Sequence, residues 1–159
     1  MEPNVKGENA VRGLACALFL AVTVIACTQP APLEVKDVWT RDSVGRTANA
    51  AVYMTIRSGS ADRLVGASTP VAGKTDLMTM EARNGTMAMK YIEGIDIPAG
   101  EPVRLNARGL HVWLADLRRP LAAGQSIPLS LEFEKAGERQ VTVSVMSPAA
   151  APVASEMPM

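Results

Sequence analysis

The chain is short of the residues that most often carry chemistry. Its 159 residues include two cysteines, Cys16 and Cys27, and one histidine, His111. Cys16 lies inside an apolar run near the N-terminus, so the processed chain would hold no pair of thiols for a disulfide. The same count excludes a cysteine-based zinc or iron–sulfur site. One imidazole gives no Ser-His-Asp or Cys-His set, no glycine-rich phosphate loop is present, and the expectation is a protein that is not an enzyme. Formal net charge is zero, with 16 basic and 16 acidic residues. No basic surplus exists to hold nucleic acid or an anionic membrane surface. Sustained helical periodicity is missing as well.

What is present begins with "GLACALFLAVTVIAC" (13–27), preceded by Lys6 and Arg12 and diluted by Glu2 and Glu8. The run has the length of a secretory h-region and is too short to span a bilayer. Its end, Ile25-Ala26-Cys27, resembles a bacterial lipobox, in which the cysteine is lipidated and becomes the first mature residue. The reading is a lipoprotein-type signal peptide at 1–26, with Cys27 as the lipidation site. An ordinary signal peptide cut nearby is the alternative. Both export the protein, so an exported domain of about 130 residues must be stabilised by its core alone, which that size permits.

Residues 27–34, "CTQPAPLE", read as a tether. From 35 to 146 the chain is a series of short β-rich segments divided by Gly, Pro, Asn and Asp. Candidate strands are 33–41, 48–57, 62–69, 75–82, 86–92, 102–106, 110–117, 127–136 and 139–146. The last two alternate apolar and polar residues, with "KAG" (135–137) as their turn. This pattern predicts an all-β domain, an Ig-like barrel or sandwich of eight to nine short strands. "EGIDIPAG" (93–100) reads as a loop. "SPAAAPVASEMPM" (147–159) reads as a disordered tail, with Met157 and Met159 at its end.

The segment "TDLMTMEARNGTMAMKY" (75–91) places Met78, Met80, Met87 and Met89 within twelve positions, out of nine methionines in the chain. Asn84-Gly85 is a strong signal for a type I′ hairpin, whose central residues both need positive φ. That turn sets Ala82 opposite Met87, Met80 opposite Met89 and Met78 opposite Tyr91. All four thioethers then share one face, because strand side chains alternate. The other face carries Leu77, Thr79, Glu81, Ala88 and Lys90. Methionine also fills irregular core gaps, so packing is the competing account. In "GLHVWLADL", His111 and Trp113 share a face, with Val112 and Leu114 on the other. Thioethers with one imidazole suit Cu(I) or Ag(I) better than Zn, Mg or Ca.

"AAVYMTIRS", "ADRLVGASTPVAGKTDLM", "YIEGIDIPAGEPVRL" and "GLHVWLADLRRPLAAGQSIPLSLEFEKAGE" resemble the PCu(A)C family of periplasmic copper chaperones, over residues 35 to 146. The resemblance implies a cupredoxin-like β-barrel that binds Cu(I) and passes it to the dinuclear copper centre of cytochrome c oxidase. The family signature is a His, ten residues, a Met, twenty-one residues, then His-x-Met. The spacing holds here, with Met89 and His111 matching in type. Met78 stands where the family has its first histidine, and Trp113 where it has its last methionine.

The resemblance therefore implies Met78, Met89 and His111 as ligands to Cu(I) or Ag(I). Trp113 would lie against the ion as a cation–π cap, with Met80 and Met87 as reserve thioethers. The ligand set would be thioether-biased, and no cysteine thiolate is available for blue-copper electron transfer. Copper donor and acceptor proteins of the cell envelope would be the partners, with the membrane touched only through a lipid at Cys27. Two outcomes stay open. The substitutions retune the site, or they mark its loss in an exported β-sandwich that acts as a binding module.

Overall fold

The computed structural model describes residues 32–43, 45 and 47–151. The signal peptide, Cys27, most of the tether, and Met157 and Met159 lie outside the described residues. Ten strands form: β1 Glu34–Arg41, β2 Ala50–Arg57, β3 Asp62–Ser68, β4 Ala72–Arg83, β5 Thr86–Tyr91, β6 Ile95–Ile97, β7 Val103–Leu105, β8 His111–Leu117, β9 Ser126–Phe133 and β10 Gly137–Met146. Nine answer to the expected segments. The tenth, β6, occupies the stretch read as a loop. Its three residues lie between Gly94 and Pro98, too few for alternation to register, and they pair with β3 through Asp62, Arg63 and Leu64.

The strands make one mixed sheet in the order β5-β4-β8-β2-β1-β10-β9-β3-β6, with β7 added beside β2. Only β1 and β10 among the paired strands run parallel. The sheet has free ends at β5 and β6 and is not closed into a barrel. Instead it folds over a single core. Val52, Met54 and Ile56 of β2, Leu77 of β4 and Val112 and Leu114 of β8 meet Leu64, Ile127, Leu129, Leu131, Phe133 and Val143 from the other half. Each fully buried aliphatic side chain of this kind contributes about 1.5–3 kcal/mol. Burial alternates residue by residue along β9 and along β10 from Val141 onward, as a half-buried strand requires.

Two irregularities shape the face away from this core. The register of β1 on β2 shifts between Lys36 and Trp39, and Asp37 adopts φ 52°. This bulge reverses the alternation, so Val35 packs on the core while Trp39 turns to the outer face. There Trp39 and Tyr53 form a second cluster, with ring centroids 4.8 Å apart. Ala151 is buried against that cluster. The amides of Ala150 and Ala151 both donate to the Ser147 carbonyl, so the segment expected as a disordered tail opens with a packed turn.

Candidate metal centre

Each outer-face residue is placed by a register that the sequence determines locally. Asn84 and Gly85 have φ of 51° and 80°, the paired positive values of a type I′ turn. β4 and β5 consequently pair Met78 with Tyr91, Met80 with Met89 and Ala82 with Met87, as the Asn-Gly turn predicts. On its other side β4 pairs with β8, setting Met78 opposite His111 and Asp76 opposite Trp113. Tyr91, Met78 and His111 thus form one row across three strands, and Met89 and Met80 form the next row. Directly opposed side chains on such a ladder have Cβ atoms about 4.5–5.5 Å apart. The structure brings Met78, His111 and Trp113 together, with Met80 and Met89 adjoining and Met87 at the hairpin tip.

His111 is only 3% exposed although it lies on the outer face. Aromatic rings flank it on both sides: Tyr53 at 6.5 Å and Trp113 at 6.3 Å between centroids, both edge-on. Its Nδ1 lies 3.0 Å from the carbonyl oxygen of Gly109. A carbonyl can only accept, so Nδ1 carries a proton, and in the neutral imidazole the lone pair then belongs to Nε2. A backbone partner of this kind fixes the tautomer and ring orientation of a ligating histidine. The ring is sheltered and held.

Among the thioethers, exposure rises outward along the hairpin. Met78 and Met80 are half-buried, while Met89 and Met87 are 48% and 52% exposed. β4 pairs with β8 only as far as Met78, so the hairpin beyond it is two strands with no third. Met87 and Met89 therefore fill no core gap, and packing does not explain them.

One cluster beside the row escaped the sequence reading. Asp76 is buried, ion-paired to Lys74 at 2.9 Å, and accepts a hydrogen bond from the Tyr91 hydroxyl. The Lys74 ammonium lies 5.0 Å from the centre of the Tyr91 ring. The signal was available in strand alternation, since 74, 76, 78 and 80 share a face. The cluster ties the base of β5 to β4 and sets a carboxylate next to Trp113. Burial raises the Tyr53 hydroxyl above its ordinary range, offset in part by the Arg41 charge. A cleft of about 660 Å³ lies elsewhere, lined by Val35, Val38, Met54 and Val141, and includes none of the proposed ligands.

This β-sandwich matches the fold of PCuAC domains. The apo PCuAC domain from PmoF1 matches it with a TM-score of 0.64 at 24% identity, covering 76% of this chain and 98% of that one. Cu(I)-DR1885 from Deinococcus radiodurans matches with a TM-score of 0.58 at 30% identity, over 76% of this chain and 83% of that one. The family described as "Putative lipoprotein LpqE-like" matches residues 33–145, and the chain belongs to this LpqE-like family. Its relative "Putative lipoprotein Lxx21020" from Leifsonia xyli subsp. xyli (strain CTCB07) is 31% identical over 115 residues, 71% of this chain and 69% of the relative.

Proposed function

We propose that this protein is an exported, lipid-anchored carrier of Cu(I), binding its cargo through Met78, Met89 and His111. One observation carries the reading: Met78 stands directly across from a buried His111 whose Nδ1 is tied to Gly109. That pairing offers a thioether and an unprotonated imidazole nitrogen from adjacent strands, a soft donor set for Cu(I) or Ag(I). Met89, diagonal to Met78 on the same face, completes three donors. The face of Trp113 shields the ion, worth about 0.5–2 kcal/mol as a cation–π contact. Met80 and Met87 stand beside the site as replacement thioethers. The 30% identity to Cu(I)-DR1885 supports copper as the cargo.

A carrier needs bonds strong enough to exclude water and few enough to exchange. Three neutral donors, graded from sheltered His111 to exposed Met89, meet that need. The ion would move by ligand exchange, without redox change at the protein. Copper proteins of the cell envelope, a respiratory oxidase centre or a copper-handling system, would take it up. The lipobox-like sequence ending at Cys27 and the family description "Putative lipoprotein LpqE-like" support anchorage at the membrane surface.

Anaerobic Cu(I) titration against a competing chelator tests the proposal. Replacement of His111 by Ala should weaken binding by at least about 10²-fold, beyond the 10- to 100-fold that loss of a supporting partner costs. Met89→Ala should weaken it less. Equal, weak binding by wild type and both variants would overturn the copper reading and leave an exported binding module.

A further inference from the structure

We infer that the tip of the β4–β5 hairpin is a second soft-metal site, formed by the thioethers of Met80, Met87 and Met89, which captures Cu(I) or Ag(I) before it reaches His111. The inference rests on the reading of Met78, Met89 and His111 as the inner site.

Three observations carry it. First, Met80 and Met89 are directly opposed, and Met87 is two residues from Met89 and diagonal to Met80, all on one face. Rows two residues apart are about 7 Å apart along a strand, a gap that the three rotatable bonds of methionine can bridge. Opposite Met87 stands Ala82, whose single methyl leaves the tip thioether uncovered.

Second, among the described residues no third strand pairs with the arm that carries these side chains beyond Met78. The far face of the hairpin is Thr79, Glu81, Ala88 and Lys90, with Glu81 and Lys90 paired at 2.8 Å. A two-stranded hairpin is marginal by itself. Met87, Met89 and Tyr91 are nonetheless the exposed large hydrophobic residues among those described.

Third, the tip and inner sites share Met89. Cu(I) held by Met87, Met80 and Met89 reaches the inner row by keeping its bond to Met89. The bonds to Met87 and Met80 break as those to Met78 and Nε2 of His111 form. Nε2 bears no proton in the tautomer fixed by Gly109, so no proton is released and no electron moves. The order of exposure, tip thioethers outside and histidine inside, sets the order in which an incoming ion meets these donors.

Ag(I), which is redox-inert here, is the probe. Titrated into full-length His111→Ala with methyl-labelled methionine, it should shift the Met80, Met87 and Met89 methyl resonances together, leaving buried Met54 unmoved. Shifts of Met89 alone, or of none of the three, overturn the inference. The double variant Met80→Leu, Met87→Leu keeps side-chain volume at partly or fully exposed positions. It should take up Cu(I) from a chelator several-fold more slowly than wild type. Unchanged uptake also overturns the inference. Failure of the inner-site reading looks different, because His111→Ala would then bind as wild type does.

Discussion

Strands β4 and β8 present two unlike surfaces from alternate residues of the same backbone. Leu77, Val112 and Leu114 face inward, at 4% exposure or less, and join the core that both halves of the sheet enclose. Asp76, Met78, His111 and Trp113 face outward, and two of these, Asp76 and His111, are also buried. The inner face is buried by area, through apolar side chains from opposed strands. The outer face is buried by particular partners: two rings and a carbonyl for His111, a lysine and a tyrosine hydroxyl for Asp76. Stability should therefore depend on one face and metal binding on the other, even though adjacent residues are involved.

The largest effect expected is on the inner face. Leu114→Ala should cost about 2–5 kcal/mol in chemical unfolding, from lost transfer energy and the cavity left behind. Cu(I) affinity of the folded fraction should stay at the wild-type value. If affinity collapses along with stability, the two faces are coupled and the separation drawn here is wrong.

Met78→Leu makes the converse change. Volume is conserved at a half-buried position, so stability should move by less than about 1.5 kcal/mol. Affinity should fall roughly tenfold or more, about 1.4 kcal/mol, because a donor is lost from the row that faces His111. Unaltered affinity would mean that Met78 is merely adjacent to the site and that the place of the family histidine has been vacated.

The division between faces also explains what could be read in advance. Nine strands and the hairpin register followed from alternation and from Asn84-Gly85, both encoded over a few neighbouring residues. The spacing of Met78, Met89 and His111 came with the PCu(A)C resemblance. Three features did not follow. β6 is too short to show a period. The bulge at Asp37, which turns Trp39 outward, depends on a register shift that no local pattern announces. The burial of His111 arises only when β2, β4 and β8 lie side by side, whereas the Lys74-Asp76-Tyr91 cluster was within reach of strand alternation and the hairpin register.

That cluster sharpens the comparison at intermediate scale. Tyr91→Phe keeps the ring and removes the hydroxyl that Asp76 accepts. Hydrogen bonds to charged groups are worth about 1.5–3 kcal/mol, and Lys74 still partners the carboxylate, so a loss near the bottom of that range is expected. Amide exchange should quicken in β5 and leave the β9–β10 pair unaffected. Uniform acceleration across both regions would show that the outer cluster supports the whole fold and not only the base of the hairpin.

The smallest effect lies farthest from the site, where Asp62 fastens the β9–β10 turn to β3. Its Oδ1 accepts from the amides of Arg63 at 2.7 Å and Lys135 at 2.9 Å, and its Oδ2 from that of Ala136 at 2.9 Å. Desolvation pushes this carboxyl upward, but the three amides, with the Lys135 charge, outweigh it and hold the group below its ordinary value. A depressed carboxylate contributes stability above its unfolded value, near about 4, and loses it as pH falls through the folded value. Wild type should thus melt slightly above Asp62→Asn at pH 7, by a constant margin down to about pH 4, the unfolded carboxylate value. The margin should close on further acidification. Because Asp62 belongs to the opposite half of the sandwich, Cu(I) affinity at pH 7 should be the same in both proteins. A change in affinity from so remote and exposed a turn would show that the outer-face row depends on the closure of the sandwich, and not on its own partners.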